Sequence, residues 1–289
     1  MQITNPPPKS ILSLLRFRVA RLIGRLPHFK GQNRFVRVLY GSHQVHKGAL
    51  VSFDFVTSYF GLRYYGRTSE FIDWNVAVYE GAEKGLIDEL LRIQRKFDPD
   101  IFLDIGANSG TFTLPLARHV QTYSFEPLSS NFSRLSKNVN ENTDKLKKVH
   151  LEKFALSNVN SSVPIYTNHD SDNAGTASLS SAWHDSNTLL EEEVKALIFD
   201  ELTEKIKCNR CLFKIDTEGH ELEALKGMEN FLKDTQCIGY IESDRDEVIQ
   251  YLSSIGFRIE FFDIKRSSLR RGLAECKGHL LVSNYDLTT

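Results

Sequence analysis

From Ile101 onward the chain alternates short apolar runs with amphipathic stretches, and no other feature limits the fold as strongly. "IFLDIG" reads as a buried strand, "GTFTLPLARH" as a helix, "TYSFEP" as a second strand and "NFSRLSKNVNEN" as a second helix. "VHLEKFAL" is a third strand and "SVPIYT" a short one. "CLFKID", the helix "HELEALKGMENFLK", the strand "CIGYIE" and the helix "DEVIQYLSSIG" continue the series. Unbroken apolar strands are covered on both faces, and the helices between them supply the crossovers of a parallel sheet. "FRIEFFDI" and "HLLVSNY" are joined by a polar, basic segment without helical period, which predicts an antiparallel pair closing the sheet. "EEEVKALIFDELTEKI" fits either one long helix or a strand "VKALIF" followed by a short helix, because period alone does not separate them.

The spacing predicts three zones: a basic amphipathic segment over 1–40, a small β-rich extension with a lead-in helix over 41–97, and the main domain over 98–289. A chain of 289 residues, 41% hydrophobic, suffices for one large core and an extension. The net charge of -1 conceals an asymmetry, since Lys9, Arg16, Arg18, Arg21, Arg25, Lys30, Arg34, Arg37 and Lys47 all precede Asp54, the first acidic residue. "ILSLLRFRVARLIGRL" predicts a helix with Ile11, Leu15, Val19, Leu22, Ile23 and Leu26 on one arc and Arg18, Arg21 and Arg25 opposite. Such a helix suits weak contact with an anionic membrane surface, or docks on the protein's own core or a partner. No run approaches the roughly 20 apolar residues of a membrane-spanning helix. Between Gly41 and Gly66, aromatic and β-branched runs predict short strands, and "AEKGLIDELLRIQRKF" has the apolar period of a helix. The four cysteines, without a secretory signal, are expected as reduced thiols in a cytoplasmic protein. Cys208 and Cys211 have metal-ligand spacing but neither a second pair nor a nearby histidine, so no metal is expected there.

"DIGANSG" sets Asp104, Gly106, Asn108 and Gly110 where a strand meets a helix. Small residues permit a tight turn and a close ligand, and the helix start offers amide donors. In open α/β sheets this crevice binds nucleotides. Glu126 ends the following strand, where a carboxylate can accept hydrogen bonds from both ribose hydroxyls. Dinucleotide sites carry G-x-G-x-x-G, whereas here the corresponding positions are Gly106, Asn108 and Thr111. That departure, with the terminal antiparallel pair, favours S-adenosylmethionine over NAD. "FKIDTEGHELEALKGM" puts Asp216, Glu218 and His220 at the end of the fourth long strand. Glu218 and Glu221 suit the positive end of the next helix. An acid ending a buried strand needs partners to offset its desolvation, so Asp216 reads as functional.

"FLDIGANSGTFTLPLA", "SFEP" and "FKIDTEGHELEALKGM", in that order, resemble the FkbM-type methyltransferases, a branch of the Rossmann-like class I enzymes that use S-adenosylmethionine. The resemblance runs from about Tyr79 to the end of the chain, and "VKALIFDEL" is similar to the family's apolar strand and turn, which selects strand then helix for the ambiguous segment. It implies a doubly wound α/β sheet and a cofactor site at Asp104, Gly106, Asn108, Gly110, Glu126, Phe154 and Ala155. Catalytic groups are expected among Asp216, Glu218 and His220, although the family commonly has alanine where His220 stands. It also implies O-methylation of a hydroxyl on a glycan or secondary metabolite, with no nucleic acid as partner. The polar loop from Asn168 to Ser186, with Trp183, is expected to contact the acceptor. An NAD-dependent oxidoreductase and a catalytically silent scaffold are the competing readings.

Overall fold

The computed structural model describes residues 1–3, 11–27, 29–40, 53–81, 83–168, 188–263, 268–270 and 278–285. In chain order the elements are β1 (Gln2–Ile3), α1 (Ile11–Gly24), α2 (Gln32–Tyr40), β2 (Asp54–Tyr59), β3 (Leu62–Arg67), α3 (Phe71–Tyr79) and α4 (Lys84–Phe97). Then come β4 (Ile101–Ile105), α5 (Thr113–Ala117), β5 (Gln121–Phe125), α6 (Ser129–Asn140), β6 (Val149–Glu152), β7 (Ala155–Leu156), β8 (Ser161–Asn168) and β9 (Thr188–Leu197). A 3-10 helix (Phe199–Lys205) precedes β10 (Arg210–Ile215), α7 (Glu221–Gly227), α8 (Glu229–Asp234), β11 (Gln236–Ser243), α9 (Asp246–Ser254), β12 (Arg258–Asp263), β13 (Ser268–Arg270) and β14 (Gly278–Ser283).

The central sheet runs β13-β12-β14-β11-β10-β4-β5-β6. Its five strands from β11 to β6 are parallel. β14 is inserted antiparallel between β11 and β12, which gives the expected antiparallel closure. Alternation along the strands divides the core between two faces. Phe102, Leu212, Ile238 and Tyr240 join the apolar cluster of Leu86, Leu90 and Phe97 from α4. Leu103, Ile105, Phe213 and Ile215 join that of Leu222, Leu225 and Met228. The expected third strand divides at Lys153 and Phe154: β6 stays in the central sheet, while β7 pairs with β9 in a separate sheet of order β7-β9-β8. The ambiguous segment is strand then 3-10 helix, and the helix after β10 breaks at Met228.

At the other end of the chain, β1, β2 and β3 form an antiparallel sheet. Side chains of α6 and the turn after it complete its edge: the Tyr65 and Arg63 N–H groups donate to Asn138 Oδ1 at 2.7 Å and Asn142 Oδ1 at 2.8 Å. Asp73, fully buried, accepts from the Tyr64 hydroxyl at 2.5 Å and from Arg134 Nη1 at 2.9 Å. Tyr64 also meets Ser109 Oγ at 2.7 Å, so this network fastens the hairpin to the loop after β4. α1 docks on the core, with Ile23 of the expected arc packed against it but most of the contact made through another face. Phe17 and Ala20 are buried, and Phe17 packs edge-on to Phe53 with ring centres 5.0 Å apart. At Gly24 a Cβ would lie 2.7 Å from Val78, so the small residues set the approach. Leu15, Val19, Leu22 and Leu26 face outward. Trp183 and the polar loop, apart from Asn168 in β8, lie outside the described residues.

Candidate active site

Register brings the ends of three strands together, pairing Ile105 with both Phe125 and Ile215. Beyond Ile105 the chain turns through Gly106 at φ +79°. The Gly106 and Ala107 N–H groups both donate to the Phe125 carbonyl at 3.0 Å. A Cβ on Gly106 would stand 1.8 Å from the Asp216 carbonyl oxygen. Glycine is therefore required by the neighbouring loop of the chain itself as well as by the left-handed backbone. Two residues on, the Asn108 N–H donates to Glu126 Oε2 at 2.8 Å, and the Leu128 N–H donates to Oε1 at 2.9 Å. Each carboxylate oxygen thus holds one backbone donor, and the Asn131 side chain hydrogen-bonds to the same carboxylate, which leaves room for a further donor. Burial pushes the Glu126 carboxyl up to about 7, against the pull of those two amides.

Lys214 lies in β10 between the buried Phe213 and Ile215 and is 3% exposed. Its Nζ donates to the Gly106 carbonyl at 2.7 Å, and stands 3.3 Å from Asp216 Oδ2 and 3.7 Å from Asp104 Oδ1. Burial acts against its charge, but Asp216, Asp104 and Glu83 outweigh burial and hold the ammonium above the usual lysine range. Other carboxyls gather near it. Burial and then the charge of Asp216 push Glu83 and Glu218 each up to about 8, and Glu242 up to about 7. Glu218 occupies the left-handed region at φ +52°. Glu221, also buried, accepts from the Thr217 N–H and hydroxyl and from the Gly219 N–H at 2.8 to 3.2 Å. That oxygen staples the 217–219 turn, a more specific role than favouring a helix end.

These loops line a cleft of about 830 Å³, counted to its mouth and open to solvent. Of the residues expected from the sequence, Gly106, Asn108, Glu126, Phe154, Ala155, Asp216, Glu218 and His220 all line it. Asp104 and Gly110 do not. The Asp104 carboxylate is fully buried and accepts from Thr113 Oγ1 at 2.6 Å, while Gly110 turns the chain at φ +92° where a Cβ would meet Leu135 at 2.8 Å. His220 Nε2 lies 3.1 Å from Ser157 Oγ, and burial lowers its pKa below the usual histidine value. The histidine thereby joins α7 to the segment after β7. Glu83 and Lys214 line the cleft but were not among the expected site residues. Lys214 had a visible signal, a cation between two apolar residues of a buried strand. Glu83, beside the start of α4, had none.

Residues 104–259 match the model of the methyltransferase FkbM domain, more than half of the chain. A curated relative, the hexuronic acid methyltransferase AglP of Haloferax volcanii, is 28% identical over 150 residues, covering 51% of this chain and 58% of that protein. The chain therefore spans well under two thirds of that relative. Among solved structures, a methyltransferase FkbM from Methylobacillus flagellatus KT superposes with a TM-score of 0.47 at 15% identity, covering 94% of this chain and 58% of that one. TYW2 of M. jannaschii, in complex with AdoMet, gives 0.38 at 13% identity over 80% of this chain and 84% of that one. By the domain match across most of its α/β core, the chain belongs to the FkbM methyltransferase family.

Proposed function

We propose that this protein transfers a methyl group from S-adenosylmethionine to a hydroxyl oxygen of a glycan or secondary metabolite. The observation that carries the reading is a shared cleft: the Asp216 carboxylate, 25% exposed, lines the same space as Gly106, Asn108 and Glu126. The residues present fit the cofactor. Glu126 lines the cleft with acceptor capacity beyond its two backbone amides and Asn131, suited to a ribose hydroxyl, and the turn at Gly106 brings bare backbone to the cleft. Phe154, with its ring centre 5.6 Å from that of Phe125, and Ala155 supply an apolar wall for the adenine.

Bound S-adenosylmethionine supplies an electrophilic methyl group on a sulfonium. The chain's part is to align the acceptor oxygen with that methyl and to take its proton. Alignment of two reactants removes much of the barrier in a displacement of this kind. A positioned base adds about 100 to 10,000-fold for a hydroxyl acceptor. Asp216 is assigned that role because it reaches the cleft while Lys214 fixes its carboxylate. Glu218 flanks it, and His220 is occupied with Ser157. Hexuronic acid, named for the Haloferax volcanii relative, supports a sugar-derived acceptor. Titration calorimetry tests the donor assignment: S-adenosylmethionine and its demethylated product should bind, and NAD should not. Binding of NAD with neither of the other two would replace the reading with an oxidoreductase.

A further inference from the structure

α1 is apolar on two opposed sides. Phe17, Ala20 and Gly24 face the core, whereas Leu15, Val19 and Leu22, at spacings of four and three, form a stripe along the outer side that Leu26, just past the helix end, extends. Leu15 is 56% exposed and Leu22 67%. The following helix repeats the arrangement, with Val36 buried while Phe35 and Val38, one turn apart, are 58% and 71% exposed. The pair of helices is held as a unit, because Gln32 Nε2 donates to the carbonyls of Ile23 and Leu26 at 2.8 and 3.0 Å and so closes the last turn of α1. Among the described residues no packing accounts for an outward stripe on this braced hairpin, and contiguous apolar exposure of this kind marks an interaction surface.

Charge selects the partner. Arg21 and Arg25 turn inward, to Thr57 Oγ1 at 3.0 Å and to Glu80 at 3.1 Å. Arg16, Arg18, Lys30 and Arg34 remain exposed on the same two helices and their connection, and the sequence holds no acidic residue before Asp54. A second copy would bring like charges together on this face, whereas an anionic lipid surface complements both the cations and the stripe. We infer that the α1–α2 hairpin is a docking surface for anionic membranes, lying in the headgroup region with Leu15, Val19, Leu22 and Leu26 turned toward the acyl chains.

Cosedimentation of the full chain with phosphatidylcholine vesicles, alone or mixed with phosphatidylglycerol, tests this. Partition onto the mixed vesicles should exceed that onto neutral ones by at least about tenfold and weaken as salt is raised. Leu15→Ser with Leu22→Ser should abolish it. Arg16→Glu with Arg18→Glu should reduce it by at least about tenfold, with thermal unfolding unchanged in both variants because the altered side chains are exposed. Equal partition onto both vesicle types, none onto either, or partition indifferent to both double variants would overturn the inference. So would a dimer in light scattering that the serine variant dissociates, which would assign the stripe to a second copy.

Discussion

Lys214 Nζ stands 3.3 Å from Asp216 Oδ2 while donating to the Gly106 carbonyl at 2.7 Å. One buried charge thus ties the proposed base to the turn on which the cofactor is expected to rest, and also faces Asp104 across 3.7 Å. Replacing Lys214 by Met should therefore cost about 3–5 kcal/mol of stability, since it strands a fully buried carboxylate without its cation. Adding Asp104→Asn should recover part of the loss. Denaturant unfolding of the single and double variants measures both, and a Lys214→Met protein as stable as the wild type would contradict the electrostatic account.

Asp216 should affect the chemical step more than cofactor binding. Asp216→Asn preserves shape and is expected to lower turnover by about 100-fold or more, as for loss of a positioned proton acceptor. Glu218→Gln should cost less, and His220→Ala least, because the imidazole is engaged with Ser157. The order is read from single-turnover rates with a true acceptor. Full activity in Asp216→Asn beside a dead His220→Ala would transfer the role to the histidine.

Glu126 serves two amides of the chain and, in the proposed site, the ribose. Glu126→Ala should weaken S-adenosylmethionine binding at least about tenfold, the worth of roughly one hydrogen bond to a charged group. The same change leaves the Asn108 and Leu128 N–H groups without their acceptor, so a lower unfolding midpoint should accompany it. Calorimetry with unchanged affinity would remove Glu126 from the cofactor site.

Stability should fall as pH rises from about 6.5 to 8. Glu83 and Glu218, each near 8, and Glu126 and Glu242, each near 7, stand above the ordinary glutamate value of 4.5. Over that interval the folded chain holds more protons than the unfolded chain, and stability declines with pH wherever this is so. His220 and His279, lowered by burial, act in the opposite sense only below about pH 6.5. Lys214, raised, loses its contribution well above the interval. Melting temperatures across this range provide the check, and Glu83→Gln should flatten the slope. A melting temperature that climbs between these limits would show the carboxyls to be ionised in the folded chain.

The order of strands and helices after Ile101, and the placement of the glycine turn, Glu126 and Asp216 at strand ends, were legible from sequence alone. Both rest on local physics: apolar period distinguishes strand from helix, and a motif at a strand end lies at the sheet's carboxyl edge wherever the sheet is parallel. Three features depended on the tertiary structure. Asp104 belongs to the same motif as Gly106, yet its side chain does not line the cleft: its register partner on β10 is Lys214, and it is fully buried against that lysine and Thr113. Glu83 and Lys214 share the cleft only because the fold brings the residue preceding α4 to the end of β10, and no local period encodes a meeting between segments so far apart in the chain. In α1 the sequence showed an apolar arc, but the buried side carries Phe17, Ala20 and Gly24, and at Gly24 the lack of a side chain lets the helix approach Val78 along the side opposite to its leucines. Helical period reports that a face is apolar, while close packing against a particular neighbour determines whether that face turns inward or is left for something else to cover.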